Sequence, residues 1–183
     1  MKLGVFVGSF NPIHKGHISV MDYLINNNYV DNIIIVATNS YWDKKIDVSL
    51  TDRINMIKCI KRDYLTIEEE LNDIQYTFQL LNELQKKYKN DSLYLIMGTD
   101  NIINFDKWKN YEEILKYKII ILNRGNFIIK DYTDKFNSDN FIIVQDFDFI
   151  DISSTIIRNN LDSNYLDENV LKYIKERKLY DNK

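Results

Sequence analysis

His14 and His17 are the only two histidines in the chain, and both lie in or directly after one turn, Gly8-Ser9-Phe10-Asn11-Pro12-Ile13-His14-Lys15-Gly16-His17. Imidazole is the side chain whose ordinary pKa lies nearest neutrality, so the near-neutral acid–base groups of the protein sit together. A strand-like run, Lys2-Leu-Gly-Val-Phe-Val7, leads into the turn, and an amphipathic helical pattern starts near Lys15. A parallel strand that breaks into such a turn before a helix aims loop N–H groups and the positive helix end at one spot, which suits a phosphate. The His-x-x-His spacing by itself also fits a metal pair or two surface residues. Zinc fits poorly: the one cysteine, Cys59, lies in the apolar stripe Ile54, Ile57, Cys59, Ile60 and reads as core, and no third histidine completes a site.

Two further clusters carry residue types that handle nucleotides. In Ile152-Ser153-Ser154-Thr155-Ile156-Ile157-Arg158, Ser153 and Ser154 are candidate N-cap residues, and a cap with open amides is an anion site. Arg158 lies one turn beyond Ser154 and can reach over the same anion; taken alone, the segment is equally compatible with a capped, solvated helix. In Met97-Gly98-Thr99-Asp100-Asn101, Gly98 lets a ligand approach a strand end and Asp100 can accept two ribose hydroxyls. Trp108 offers a face for stacking an aromatic ring, or packs as an ordinary aromatic.

The elements that must position these residues alternate between short apolar strands and helical patterns. After the first strand the pattern predicts a helix over Lys15–Asn27, a strand over Asn32–Thr38, a helix over Leu50–Arg62 and a strand over Tyr64–Glu69. Next come a helix over Tyr76–Tyr88, a strand over Ser92–Met97 and a helical turn over Trp108–Leu115. Strands over Lys118–Leu122 and Asn140–Gln145 follow, separated by a long polar connection over Gly125–Asp139, and helices over Ser153–Asn160 and Asp167–Lys178 close the chain. Strands separated by helices of this length imply right-handed crossovers: an α/β, doubly wound parallel sheet covered on both faces. Its ligand belongs beyond the carboxyl ends of the strands, where strand order reverses.

Composition sets bounds consistent with this. At 183 residues and 45% hydrophobic content the chain is most simply one domain, 1–183, with a C-terminal helical segment, 151–183. A net charge of −3 gives no support for a broad nucleic-acid or membrane surface. One cysteine excludes an intrachain disulfide framework and agrees with a reducing, cytoplasmic compartment. No segment reaches transmembrane length. Self-association into a homo-oligomer is left open.

The strand, turn, paired histidines and helix together resemble the signature of the nucleotidylyltransferases, whose histidine motif grips a nucleotide triphosphate on a Rossmann-like domain. I-S-S-T-x-I-R is similar to the second signature of one branch, the nicotinate/nicotinamide mononucleotide adenylyltransferases. G-T-D-N-x-x-x-F-x-x-W-x-x-Y-E-E-I-L resembles the bacterial G-A-D…W segment, Gln75-Tyr76-Thr77-Phe78 the S-Y-T-F helix start, and Arg124-Gly125 the R-P-G after a strand. The resemblance implies adenylyl transfer from ATP to a pyridine mononucleotide, with His14, His17 and Arg158 as catalytic residues. It implies ATP contacts from Gly8, Ser9, Phe10, Gly98, Asp100, Arg124, Ser153, Ser154 and Thr155, and mononucleotide contacts from Asn11, Lys44, Thr77 and Trp108. Mg²⁺ would bridge substrate phosphates without dedicated protein ligands.

Two family elements are absent: Asn39-Ser40-Tyr41-Trp42-Asp43-Lys44-Lys45 stands where a P-P-H-K stretch is usual, and Leu71-Asn72-Asp73-Ile74-Gln75 stands where R-x-G precedes S-Y-T. Both belong to substrate-facing loops and bear on which pyridine is preferred. The likeness to the bacterial branch favours nicotinate over nicotinamide. Pantetheine-phosphate adenylyltransferases and small cytidylyltransferases share the histidine motif but not the Arg158 and Trp108 segments. A nucleotide-binding module without catalysis and a nucleic-acid-binding domain are the readings from other classes.

Overall fold

The computed structural model describes residues 1–39, 48–123, 127–160 and 163–181. In chain order it runs β1 (Lys2–Gly8), α1 (Lys15–Asn26), β2 (Asn32–Ala37), α2 (Leu50–Lys58), β3 (Leu65–Glu68), α3 (Thr77–Lys87), β4 (Ser92–Gly98) and α4 (Thr99–Ile103). Then come α5 (Tyr111–Ile114), β5 (Lys118–Leu122), α6 (Lys130–Thr133), β6 (Phe141–Val144), α7 (Ser154–Asn160) and α8 (Glu168–Arg177), with short 3-10 turns between some of them.

The six strands form one parallel sheet in the order β3-β2-β1-β4-β5-β6. Consecutive residues of a strand face opposite sides, and here both sides are apolar: Ile33 and Ile35 of β2 join one hydrophobic cluster, Ile34 and Val36 the other. The first cluster takes in α1, α2, Ile157 of α7 and Val170 and Ile174 of α8; the second takes in Leu80, Leu81 and Leu84 of α3 together with Ile102, Phe105 and Ile114. Helices therefore cover both faces, and the chain changes face as it passes from β3 at one edge to β4 beside β1. That passage leaves a crevice at the carboxyl ends of β1 and β4, the expected ligand position in such a sheet. No helix among the described residues is long and apolar enough to cross a membrane.

Three segments depart from the pattern read from the sequence. The expected helix over Leu50–Arg62 stops at Lys58, because the N–H of Cys59 already bonds back to Asn55 and Met56 in a tightened last turn and the chain leaves for β3. The expected helical turn over Trp108–Leu115 divides: Trp108 is extended, Asn110 is left-handed (φ 50°), and α5 begins only at Tyr111. Extended backbone at Trp108 frees it from a helical surface. The polar connection, over its described part 127–139, contains α6, which Ile129 (1% exposed) and Thr133 tie to the core. A polar composition concealed these two buried anchors.

Candidate active site

The turn after β1 is built around one aromatic. Gly8 ends the strand, and a Cβ there would lie 3.1 Å from the Phe10 ring. Phe10 adopts a left-handed backbone (φ 44°) while its ring is buried, edge-on to Phe6 at 5.5 Å and to His17 at 5.1 Å between centroids. A bulky residue in that conformation persists only when its surroundings demand it. Phe10 thus contributes its backbone to the turn and its side chain to the core.

The two histidines then lock the start of α1. His14 is the N-cap residue, and its Nδ1 accepts the N–H of Gly16 at 3.1 Å; His17, at the third helical position, returns its Nδ1 to the N–H of His14 at 3.2 Å. This is the reciprocal arrangement of a capping box, made here by imidazoles. A neutral imidazole accepts through the nitrogen without a proton, so each ring carries its proton on Nε2. The rings lie 3.7 Å apart, tilted by 31°. His14 is 3% exposed and His17 is half-buried, so two N–H donors of fixed tautomer are held beside the positive end of a helix. Gly16 makes this possible: a Cβ on it would lie 2.9 Å from two atoms of the His14 ring.

The C-terminal segment reaches back onto the same turn. The Ser154 hydroxyl donates to the Pro12 carbonyl at 3.1 Å, Nη1 of Arg158 donates to the Asn11 carbonyl at 2.8 Å, and Nη2 of Arg158 donates to Thr155 Oγ1 at 3.1 Å. Ser153 caps α7, accepting the Ile156 N–H at 3.3 Å. Buried Asn11 accepts the Tyr180 hydroxyl at 2.6 Å. Residues more than 140 positions apart in sequence are thereby gathered around one loop, with Arg158 beside His14's strand-to-helix turn.

Gly98 lies across the crevice. In the register of β1 with β4 the last pair is Phe6 with Ile96, and Gly8 and Gly98 stand two residues further along their strands. Asp100 is exposed in the first turn of α4, next to buried Thr99, whose hydroxyl lies 3.3 Å from both the Leu122 carbonyl and Asn123 Oδ1. Asn123 in turn donates to the Phe127 carbonyl at 2.9 Å and to Gln145 Oε1 at 3.0 Å, which ties the carboxyl ends of β4, β5 and β6 together. Thr77 and Trp108 come together in a cavity of about 310 Å³ lined by Gln75, Tyr76, Thr77, Lys107, Trp108 and Lys109. That is the lower end of the size range of small-ligand sites. Phe105, fully buried, supports Trp108 with ring centroids 5.5 Å apart. A wider open groove of about 750 Å³ along α3 holds none of the candidate residues.

Lys44 and Arg124 lie outside the described residues. The basic groups that line the Trp108 cavity are Lys107 and Lys109, which the sequence reading passed over. It passed over Arg53 too: the guanidinium is 2% exposed and donates to the Ser9 and Thr38 carbonyls. The available signal was helical spacing, since Arg53 lies three and four residues before Met56 and Ile57 on one face of α2. Among the described residues no group of three or more His, Cys, Asp or Glu side chains could hold a metal ion. The donors at the turn are N–H groups suited to anionic oxygen, so a divalent cation here would ride on substrate phosphates and water.

Comparison with known proteins places the chain in a family. Residues 5–160 match the model of the cytidylyltransferase-like family. The chain is 34% identical to a probable nicotinate-nucleotide adenylyltransferase of Flavobacterium psychrophilum, over 98% of this chain and 99% of the relative. It is 35% identical to one of Borreliella burgdorferi, over 98% and 97% respectively. Among solved structures it is similar to the Plasmodium falciparum nicotinic acid mononucleotide adenylyltransferase complexed with NaAD, with a TM-score of 0.81, 25% identity, and coverage of 98% of this chain and 97% of that one.

Proposed function

We propose that this chain, which belongs to the cytidylyltransferase-like family and within it to the nicotinate-nucleotide adenylyltransferases, transfers the adenylyl group of ATP to nicotinate mononucleotide in NAD biosynthesis. A 5′-phosphate oxygen of the mononucleotide attacks the α-phosphorus of ATP. A new P–O bond forms as the bond to the bridging oxygen of the β-phosphate breaks, and pyrophosphate leaves. The attacking group is already an anion, so the protein needs no nucleophile of its own and works by positioning and charge stabilisation.

The observation that carries this reading is the reciprocal capping of His14 and His17, which fixes two Nε2–H donors at a helix start. In this reading they meet the triphosphate near the reacting phosphorus as negative charge shifts onto the leaving group. The backbone of Gly8, Ser9 and Phe10 approaches the same oxygens. Ser153, Ser154, Thr155 and Arg158 hold the pyrophosphate end, with Arg124 as a further phosphate contact. Gly98 admits the adenosine, and Asp100 takes its ribose hydroxyls. Asn11 and Lys44 are the further candidate contacts to the mononucleotide, while Thr77 and Trp108 take its pyridine in the cavity described above. ATP enters as its Mg²⁺ complex. The same reading keeps the enzyme in the cytoplasm, with these two small molecules as its partners.

Pyrophosphate release from ATP and Mg²⁺ against a panel of mononucleotides tests the proposal. Turnover with nicotinate mononucleotide is expected to exceed that with the nicotinamide form, because a carboxylate prefers N–H donors and cations such as those around Trp108, whereas a carboxamide needs an acceptor as well. A kcat/KM ratio at or below one would overturn the choice of pyridine. Turnover with neither would overturn adenylyl transfer to a pyridine nucleotide.

A further inference from the structure

The turn that carries the histidines is held from behind by a cation that the reaction itself does not employ. Arg53 of α2 is among the largest fully buried side chains, and a single nitrogen, Nη1, donates to the Ser9 carbonyl at 2.6 Å and the Thr38 carbonyl at 2.8 Å. Those carbonyls follow the neighbouring parallel strands β1 and β2 at the sheet edge that takes the ligand. Among the described residues Arg53 has no carboxylate partner, and its buried Nε has no hydrogen-bond partner. The adjacent Asp52 carboxylate is engaged instead by Ser49, Tyr173 and Arg177. Burying an unpaired charge is costly, and an aliphatic side chain of similar length would fill the same space without that cost. What the aliphatic chain cannot supply is a grip on two backbone carbonyls.

We infer that Arg53 is a positioning residue for the phosphates of ATP, acting through the direction of the Phe10 amide. In a planar trans peptide the N–H of one residue points opposite to the carbonyl before it. The Ser9 carbonyl is turned to Arg53, so the Phe10 N–H is turned away from the buried guanidinium. Phe10 needs such a constraint, since a phenylalanine at φ 44° has little intrinsic preference for staying there. A second brace acts from the opposite side, because the Ser154 hydroxyl holds the Pro12 carbonyl and thereby turns the Ile13 N–H away from α7. Two amides of one loop are set from two elements far apart in sequence, Arg53 on α2 and Ser154 on α7. The inference rests on the adenylyltransferase reading of the site.

The test compares wild type with Arg53→Met, which keeps an unbranched apolar stem and removes the charge and the donors, and with Arg53→Lys, one atom shorter than arginine but charged. For Arg53→Met, kcat/KM for ATP is expected to fall by at least about 10-fold, because misplacement of oriented groups is expensive in a positioned reaction. The KM for the mononucleotide should be unchanged, and Arg53→Lys should recover part of the loss. A cooperatively folded Arg53→Met with wild-type constants for ATP would overturn the assignment. So would a loss shared equally by both substrates and proportional to the unfolded fraction, since that marks a purely structural role. If Arg53→Met fails to fold, Arg53→Lys decides, and unchanged ATP constants in it overturn the proposal. A wild type that turns over no mononucleotide would sink the adenylyltransferase reading. Calorimetric titration with ATP and Mg²⁺ would still judge Arg53, and equal affinity in wild type and Arg53→Met would count against it.

Discussion

His17 caps the N–H of His14 through its Nδ1, and in the proposed reaction the same ring offers its other nitrogen's proton to phosphate. His17→Ala would remove both, mixing a cap loss of about 0.5–2 kcal/mol with the catalytic effect. His17→Gln separates them, because glutamine at the third helical position can accept the same N–H, as in the ordinary capping box. The expected outcome is a urea midpoint close to wild type with turnover lowered by about 10²-fold, the scale of losing one oriented donor. Pyrophosphate release and denaturant unfolding on the same preparation check it, and near-normal turnover would remove His17 from the reacting site. The His-x-x-His spacing was legible in the sequence. The stacking of the rings and the fixing of both tautomers were not, because they depend on the backbone geometry of the turn.

Gly16 is the second residue of helix α1, whose first turn carries the two rings. Alanine stabilises a helix interior over glycine by up to about 1 kcal/mol, so propensity alone favours Gly16→Ala. The contact geometry opposes it: the new Cβ would lie 2.9 Å from the His14 ring, which is already held by the Gly16 N–H and stacked on His17. The expected result is no gain in melting temperature and a marked loss of turnover, checked by thermal unfolding alongside the pyrophosphate assay. A stabilised and fully active variant would show that the pair tolerates displacement. The boundaries of most elements followed from periodicity. The start of α5 did not, since the left-handed Asn110 and extended Trp108 go with the packing of Trp108 on buried Phe105 rather than with local propensity.

At the scale of the whole molecule, Asp52 joins the start of α2 to the last helix. Its Oδ1 accepts the Tyr173 hydroxyl at 2.8 Å and lies 3.2 Å from Nη2 of Arg177, while Oδ2 accepts the Ser49 hydroxyl at 2.7 Å. Burial raises the Asp52 carboxyl, but the hydrogen bonds from Ser49 and Tyr173 and the charge of Arg177 outweigh it and hold the group below the usual carboxylate range. A carboxylate lowered on folding contributes stability that is fully present above its unfolded pKa of about 4 and is lost as pH falls through the lower folded value. Asp52→Asn is therefore expected to be less stable at neutral pH and to lose less on acidification. Urea midpoints measured from neutral to acid pH check this, and parallel pH profiles for the two proteins would refute the linkage. The same helix ends in the segment whose Tyr180 hydroxyl holds Asn11, so docking of the C-terminus and shape of the loop are physically continuous.

The alternation of strand and helix patterns determined a parallel, doubly wound sheet, because residues buried on both faces of a strand and on one face of a helix leave an unmistakable apolar period. Glycine, proline and two histidines in one turn likewise marked that turn, from the sequence alone, as the candidate site for an anion. Periodicity is local, however, and says nothing about which distant group meets a given carbonyl. Arg53 looked like one polar position at the head of α2, and Tyr180 like a residue near the chain's end. Only the folded chain brings Arg53 to the Ser9 carbonyl, Arg158 to the Asn11 carbonyl and Tyr180 to the Asn11 side chain, across separations of 44, 147 and 169 residues. Such contacts are decided by the packing of α2, α7 and α8 over one face of the sheet. Their physical basis is that buried carbonyl oxygens, of backbone and of side-chain amide alike, must find donors wherever the fold supplies them.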